Sequence, residues 1–271
     1  MPKFEVEKTD CFNLGQTLNC GQVFRFKEFD GGYDMYALNH FAHAVDRGGY
    51  FAFECDDVDF FKTYLDFDTD YAKIQAEVAD GGFVSKAIEF GKGIHILRQD
   101  AHETVFSFLI SQNNHIPRIK GIIERMCRGL GEDMGGYFAF PTVEALASVG
   151  EDYFASIGAG YRASYLDRTA KTLVEADFDS WNKLNTPSLR SRLMSLHGVG
   201  RKVADCILLF GFNRFDVFPV DTWIKKVFKQ SELPAEKLSQ RLVEKYGEYA
   251  GFVQQWVFYY KRELGDDIGS F

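Results

Sequence analysis

The sequence predicts an α+β protein in which an antiparallel β-sheet comes first and helices follow. Three observations carry this. Up to about residue 55 the apolar residues lie in short, aromatic-rich segments broken by Gly or Asp-Gly, as in strands joined by tight turns. Beyond that point they recur at spacings of three and four, which is helical periodicity. Glycines then punctuate the helices, as in GLGEDMGG (129–136) and GAGYR (158–162). A length of 271 residues suffices for one large or two modest domains with real cores.

Taken in order, GQVFRFKEF (21–29), GGYDMYALNH (31–40), AHAVDRG (42–48) and GYFAFEC (49–55) read as strands of one sheet. Helices are expected at 57–66, 70–79, 83–91, 102–112, 116–130, 142–149, 163–177, 187–195, 201–211, 222–230, 234–246 and 248–263. The expected division is 1–95, sheet plus helices, and 96–271, all helical with a hairpin at 187–211. No repeat, low-complexity run or Pro/Ser-rich linker interrupts the chain.

Composition excludes several classes. With 46% hydrophobic and 26% charged residues, the chain is not a disordered one. No apolar run approaches the ~20 residues of a membrane helix. The start, MPKFEVEKTD, is charged where a signal peptide is apolar, so the expected location is the cytoplasm. The five cysteines, Cys11, Cys20, Cys55, Cys127 and Cys206, form no C-x-x-C pair. That spacing argues against a disulfide framework, a zinc knuckle or a four-cysteine iron–sulfur cluster.

A net charge of −8 argues against a nucleic-acid partner. The charge is unevenly spread, however. Residues 28–80 carry thirteen acidic and three basic side chains, net −10. Residues 186–230 carry eight basic and three acidic ones, net +5. The basic stretch is either a solvated face or a contact for an anion.

Within it, Leu196-His197-Gly198-Val199-Gly200 separates two apolar-periodic segments. Glycines two apart let backbone N–H groups approach a ligand at a helix N-terminus, which suits a phosphate; a plain glycine turn reads the same way. Arg201 and Lys202 follow in the first helical turn, where the helix dipole disfavours cations. Their placement makes sense if an anion comes to that end, or if Lys202 is to lose its proton readily. Cys206 lies one helical turn on, on the face of Lys202, while Val203, Ile207 and Phe210 turn toward the core. An ordinary lysine, with a pKa near 10.4, is almost wholly charged at pH 7. A helix N-terminus, Arg201 and partial burial are expected to lower that of Lys202 and make it an amine nucleophile. Asp221 follows in Phe218-Pro219-Val220-Asp221-Thr222-Trp223, where an Asp before an apolar helix is also an ordinary N-cap.

The run L-x-G-V-G-x-K-V-A-D-C, with P-V-D after it, resembles the helix-hairpin-helix DNA glycosylase superfamily, and within it the 8-oxoguanine DNA glycosylase branch. Ser111-Gln112-Asn113-Asn114-His115-Ile116-Pro117-Arg118-Ile119 matches that branch's asparagine-rich segment. Gly160-Tyr161-Arg162-Ala163 matches its G-Y-R-A loop, and Cys20-Gly21-Gln22-Val23-Phe24-Arg25 its N-terminal motif. Tyr249-Ala250-Gly251 through Phe258 matches its last helix. The matches span roughly residues 12 to 260, in the family's order.

The resemblance implies a base-excision glycosylase with AP lyase activity, acting on double-stranded DNA that contains 8-oxoguanine. It assigns Lys202 as the Schiff-base nucleophile and Asp221 as the carboxylate that stabilises the developing sugar cation. Gly21 supplies a carbonyl that accepts from the N7–H of 8-oxoguanine, a hydrogen that guanine lacks. Cys206 and Phe258 sandwich the base, Gln254 reads its Watson–Crick edge, and Pro219 belongs to the same pocket. Asn113, Arg118 and Arg162 read the orphaned cytosine, with Tyr161 as the wedge. His197, Gly198, Gly200 and Arg201 meet phosphates. Taken singly, each arginine also reads as a solvated surface residue, and Phe258 as core. The resemblance implies no cofactor or metal, allows a monovalent cation at the hairpin, and implies a monomer of bacterial type bound to the nucleoid through DNA. Trp223 and Lys261 depart from the familiar eukaryotic pattern, which has a phosphate-contacting histidine and an acidic residue there, so neither receives a role. The acidic 28–80 region is expected to face away from DNA.

Rival readings are distinguishable. An iron–sulfur glycosylase needs clustered cysteines after the Asp, and none follows Cys206. A glycosylase for alkylated bases ordinarily lacks the lysine. A non-catalytic helix-hairpin-helix DNA-binding protein needs neither Lys202 nor the set Gly21, Cys206, Gln254 and Phe258. A Schiff-base enzyme acting on small metabolites has no use for the hairpin.

Overall fold

The structure, a computed structural model, describes residues 1–265; the last six residues of the expected 96–271 unit lie outside them. The first strand, β1 (Lys3–Glu7), is followed by a helix, α1 (Leu14–Asn19), where the sequence reads only as strand. Asn13 starts that helix by accepting from the Gln16 N–H at 3.0 Å. Leu14, Thr17 and Leu18 then face inward. Six residues are too few for a period to be visible in sequence, and a local cap decides the outcome.

The strands β2 (Phe26–Phe29), β3 (Gly32–Ala37), β4 (His40–Asp46) and β5 (Tyr50–Cys55) form, with β1, an antiparallel sheet in the order β1-β5-β4-β3-β2. Register pairs include Phe26 with Met35, Met35 with Ala42 and Ala44 with Phe53. Only the second half of GQVFRFKEF is strand. One face is buried, as the alternation along β5 (Phe51, Phe53 and Cys55 inside) shows. That face packs on Leu14 and Leu18 of α1 and on Phe61 and Tyr64 of α2 (Val58–Tyr64).

Next come α3 (Tyr71–Val78), α4 (Phe83–Gly91), α5 (Ala101–Ser111), α6 (Ile116–Leu130), α7 (Val143–Ala147), α8 (Glu151–Ser156) and α9 (Ala163–Leu173). The chain continues with α10 (Phe178–Asn182), α11 (Thr186–Met194), α12 (Arg201–Gly211), α13 (Thr222–Val227), α14 (Ala235–Tyr246) and α15 (Ala250–Leu264). The short helices α8 and α10 have no counterpart in the sequence expectation, again because each is barely one turn long. The helix expected at 163–177 stops at Leu173, and the one at 222–230 stops at Val227 and passes into a 3-10 turn.

At the centre of the helical core lies α5, buried from Glu103 to Ile110 without a break. A helix buried on all sides is a core helix. It packs against α12, with Phe108 and Phe210 stacked at 5.4 Å. The helices α3 and α4 belong to this core too: Tyr71, Ile74, Val84 and Ala87 lie in it, and α4 packs on α15. Helices from the first third of the chain thus meet α15, and the C-terminus of α5 lies beside the N-terminus of α12.

Candidate active site

The hairpin is built as α11, a turn, and α12. Leu196 and Val199 anchor the turn in the core, and the Val199 N–H donates to the Leu196 carbonyl at 3.1 Å. Gly198 sits at φ +83° with its Cα against Tyr165; an added Cβ would stand 2.4 Å from Tyr165 Cγ. His197 packs edge-on to the Tyr165 ring at 5.2 Å, and its carbonyl accepts from Thr169 Oγ1. Gly200 caps α12 without a side chain, so the first N–H groups of an eleven-residue helix are left open at the surface. By contrast α5, α6, α11 and α13 each have a side-chain cap.

In the first turn of α12, Lys202 enters a cleft of about 760 Å³. Its walls are Ser111, Gln112, Asn113 and Asn114 after α5, Tyr161, the start of α12, and Val220 to Trp223. Lys202 and Asp221, nineteen residues apart, are therefore brought to one space, with Asn113, Tyr161, Gly200 and Arg201. None of residues 28–80 lines this cleft among the described residues. Asp221 accepts from the Ile224 N–H at 2.8 Å and so caps α13, which fixes its carboxylate. Behind it Pro219 and Val220 are buried.

The electrostatics of Lys202 reverse the sequence expectation. Burial works against the ammonium, but Cys206 and Asp221 beside it outweigh burial and hold the group above the ordinary lysine value. Burial likewise pushes the Cys206 thiol up to about 11. Arg201 differs too. It is already balanced, with Nε 3.2 Å from Asp205 and Nη1 2.8 Å from Glu236. Asp205, fully buried, also holds Arg190 at 2.6 Å and ties the two hairpin helices together. The sequence carried a hint of this in the i,i+4 spacing of Arg201 and Asp205.

A second group assembles around the N-terminal loop. Gly21 has φ +89°, and a Cβ there would lie 3.2 Å from Phe258 Cε1. Phe258 is half-buried on α15, with Arg262 over its ring. Gln254, one turn earlier, is 5% exposed, and its Oε1 is buried with no partner among the described residues. An unpaired buried acceptor costs about 1–3 kcal/mol, so it is a site where a donor from outside gains most. Phe108 links the two groups: its ring centroid lies 5.8 Å from Lys202 Nζ and 5.9 Å, edge-on, from Phe24 just after Gly21.

A third group forms the rim. Tyr161 is 53% exposed, and its hydroxyl donates to the Gln112 carbonyl at 3.1 Å. Asn113 is exposed in the left-handed region at φ +44°. Arg118 is exposed and donates to the Gly158 carbonyl at 3.1 Å. Arg162 is not a solvated surface residue: it is 2% exposed and donates to the carbonyls of Gln112, Asn113 and Ala159. Tyr161 lies over its guanidinium at 4.3 Å. Of the residues left without a role, Lys261 is buried on α15 and Trp223 lines the cleft beneath Lys226. Among the described residues no cluster of three or more His, Cys, Asp or Glu could hold a metal, and no helix is long and apolar enough to cross a membrane.

Residues 106–250 match the HhH-GPD superfamily of base excision DNA repair proteins, and residues 3–105 match the 8-oxoguanine DNA glycosylase N-terminal domain. The chain is 31% identical over 224 residues to a Saccharomyces cerevisiae N-glycosylase/DNA lyase, covering 66% of this chain and 59% of that one. It spans 52% of an Arabidopsis thaliana N-glycosylase/DNA lyase, at 34% identity. A Clostridium acetobutylicum 8-oxoguanine glycosylase/lyase, solved with double-stranded DNA containing cytosine opposite 8-oxoG, superimposes with TM-score 0.89 and 34% identity over 96% of this chain and 98% of that one. MBOgg1, solved with a low-affinity DNA ligand, gives 0.91 and 34% over 97% and 96%. The chain belongs to the HhH-GPD superfamily of base excision DNA repair proteins, with an N-terminal domain of the 8-oxoguanine DNA glycosylase type.

Proposed function

We propose that the protein is a base-excision glycosylase and AP lyase that removes 8-oxoguanine from duplex DNA, with cytosine preferred opposite the lesion. The observation that carries this reading is the meeting of Lys202 and a capped Asp221 in one cleft, at the open end of the hairpin helix. The target nucleotide leaves the stack, at a cost of a few kcal/mol, and enters the cleft. As the bond from C1′ to the base breaks, its electrons leave with the base and Asp221 stabilises the positive charge left on the sugar. Neutral Lys202 Nζ bonds to C1′; ring opening then gives a Schiff base, and loss of a proton from C2′ expels the 3′ phosphate by β-elimination. No cofactor takes part in this sequence.

Recognition follows from hydrogen-bond polarity. The Gly21 carbonyl accepts from the N7–H of the oxidised base and repels the bare N7 of guanine. Gln254 meets the Watson–Crick edge, and Cys206, Phe258 and Pro219 enclose the ring. Asn113, Arg118 and Arg162 serve the orphaned cytosine around the Tyr161 wedge, and arginine donors suit its O2 and N3 acceptors. The turn His197-Gly198-Val199-Gly200 takes up phosphates, and Arg201 joins it only where a phosphate displaces the exposed Glu236 from its guanidinium. Acting on DNA, the protein works as a monomer in the cytoplasm.

Borohydride reduction on a labelled duplex with one 8-oxoguanine opposite cytosine tests the whole reading. The expected result is a covalent adduct with the wild type and none with Lys202→Gln. Base release without an adduct removes Lys202 from its role. Neither release nor adduct leaves a DNA-binding protein without chemistry.

A further inference from the structure

We infer that Gln255, adjacent to the base-reading Gln254, is a positioning residue that aims the Gly21 carbonyl and so sets lesion recognition; the inference rests on the role proposed for Gly21. Three successive carbonyls decide the matter: Cys20, Gly21 and Gln22. Gln255 Nε2 donates to the Cys20 carbonyl at 2.8 Å, and both residues are buried. Gln99 Nε2 donates to the Gln22 carbonyl at 2.9 Å. Among the described residues no donor reaches the carbonyl between them.

The rest of the loop is held as firmly. Gln22 is fully buried; its Nε2 donates to the carbonyls of Thr17 and His95, at 2.9 and 2.8 Å, and its Oε1 accepts from the Leu97 N–H at 2.8 Å. Cys20 Sγ lies 3.1 Å from the Thr17 carbonyl. Gly21 itself, at φ +89°, has no side chain to orient it, so hydrogen bonds to its neighbours hold its peptide plane. Of these holds, the one from Gln255 comes from the helix that also carries Gln254 and Phe258. Successive helical residues point about 100° apart. The same turn of α15 can therefore present Gln254 to the ring and Gln255 to the loop that reads N7. One helix sets the distance between the two readers of a single base.

The test separates base recognition from folding and from chemistry. Gln255→Leu removes the donor at similar volume, and Gln255→Glu replaces it with an acceptor that becomes a donor again once protonated. Single-turnover release of 8-oxoguanine opposite cytosine is compared with strand cleavage at a preformed abasic site, which presents no base. Expected for Gln255→Leu is base release slowed at least about tenfold, the worth of one hydrogen bond, with abasic cleavage within about twofold of wild type. Expected for Gln255→Glu is a deficit relative to wild type that shrinks from pH 8 to pH 6. Unchanged base release, or base release and abasic cleavage falling in parallel, overturns the positioning role. A wild type that cleaves abasic DNA yet releases no 8-oxoguanine overturns the Gly21 reading itself, before any variant is compared.

Discussion

Arg162 Nε donates to the Gln112 carbonyl at 2.8 Å, so the loop after α5 and the turn before α9 form one rigid rim. Its Nη2 and Nη1 also donate to the Asn113 and Ala159 carbonyls, which leaves one Nη1 hydrogen for an acceptor from outside. Arg118, forty residues away in sequence from the Gly158 it bonds, is by contrast exposed and singly tied.

The two arginines therefore give different phenotypes. Arg162→Ala strands buried carbonyls and is expected to cost about 2–4 kcal/mol, read as a fall in Tm. Arg118→Ala is expected to leave Tm within a degree or two and to narrow the preference for cytosine among the four opposing bases. Equal rates for all four bases in the wild type would remove the rim from recognition.

The pH dependence follows from the sign of the Lys202 shift. The amine must be neutral to attack, and its pKa stands above the ordinary 10.5 in the free protein. At every pH below that value the neutral fraction rises about tenfold per unit. The profile of log kcat/KM, which reports the free enzyme, is expected to climb with slope near one from pH 6 to 9. A plateau near neutrality would show a lysine whose proton is already lost.

Asp221 carries two functions that one substitution separates. Asn caps a helix about as well as Asp, so Asp221→Asn is expected to leave stability within about 0.5 kcal/mol. It removes the charge that stabilises the sugar cation, and base release is expected to fall by about a hundredfold or more. Thermal unfolding and single-turnover kinetics on one preparation check both halves.

The hairpin glycines are not equivalent. Gly198→Ala meets both positive φ and the Tyr165 ring, and is expected to cost about 1–3 kcal/mol. Gly200→Ala meets nothing within 4 Å and has ordinary φ, so it costs under about 1 kcal/mol. Urea unfolding of the two variants checks the order.

Much of this was legible in sequence because it depends on local chemistry. Gly198 and Gly200 mark a turn, Asp221 a cap, and the two-then-helical change of period marks the sheet and the bundle. What sequence hides is partnership at a distance. Nothing local says that Arg201 is neutralised by Glu236, or that Arg162 turns inward to carbonyls fifty residues back. The pKa of Lys202 depended on weighing Cys206 and a carboxylate nineteen positions on against burial, and only the folded geometry supplies that weight. The helices α1 and α10 escaped because their caps, Asn13 and Asp177, not their periodicity, make them, and α8 because six residues are too few to show a period.

The bond from Gln255 to Cys20 joins positions 235 residues apart. During synthesis the hairpin, the nucleophile and the capped carboxylate all leave the ribosome before α15 does. Reactivity is therefore encoded earlier in translation than selectivity. A nascent chain stalled short of α15 would carry the amine and the carboxylate without the surface proposed to tell a damaged base from a sound one, and only the last helix joins the two.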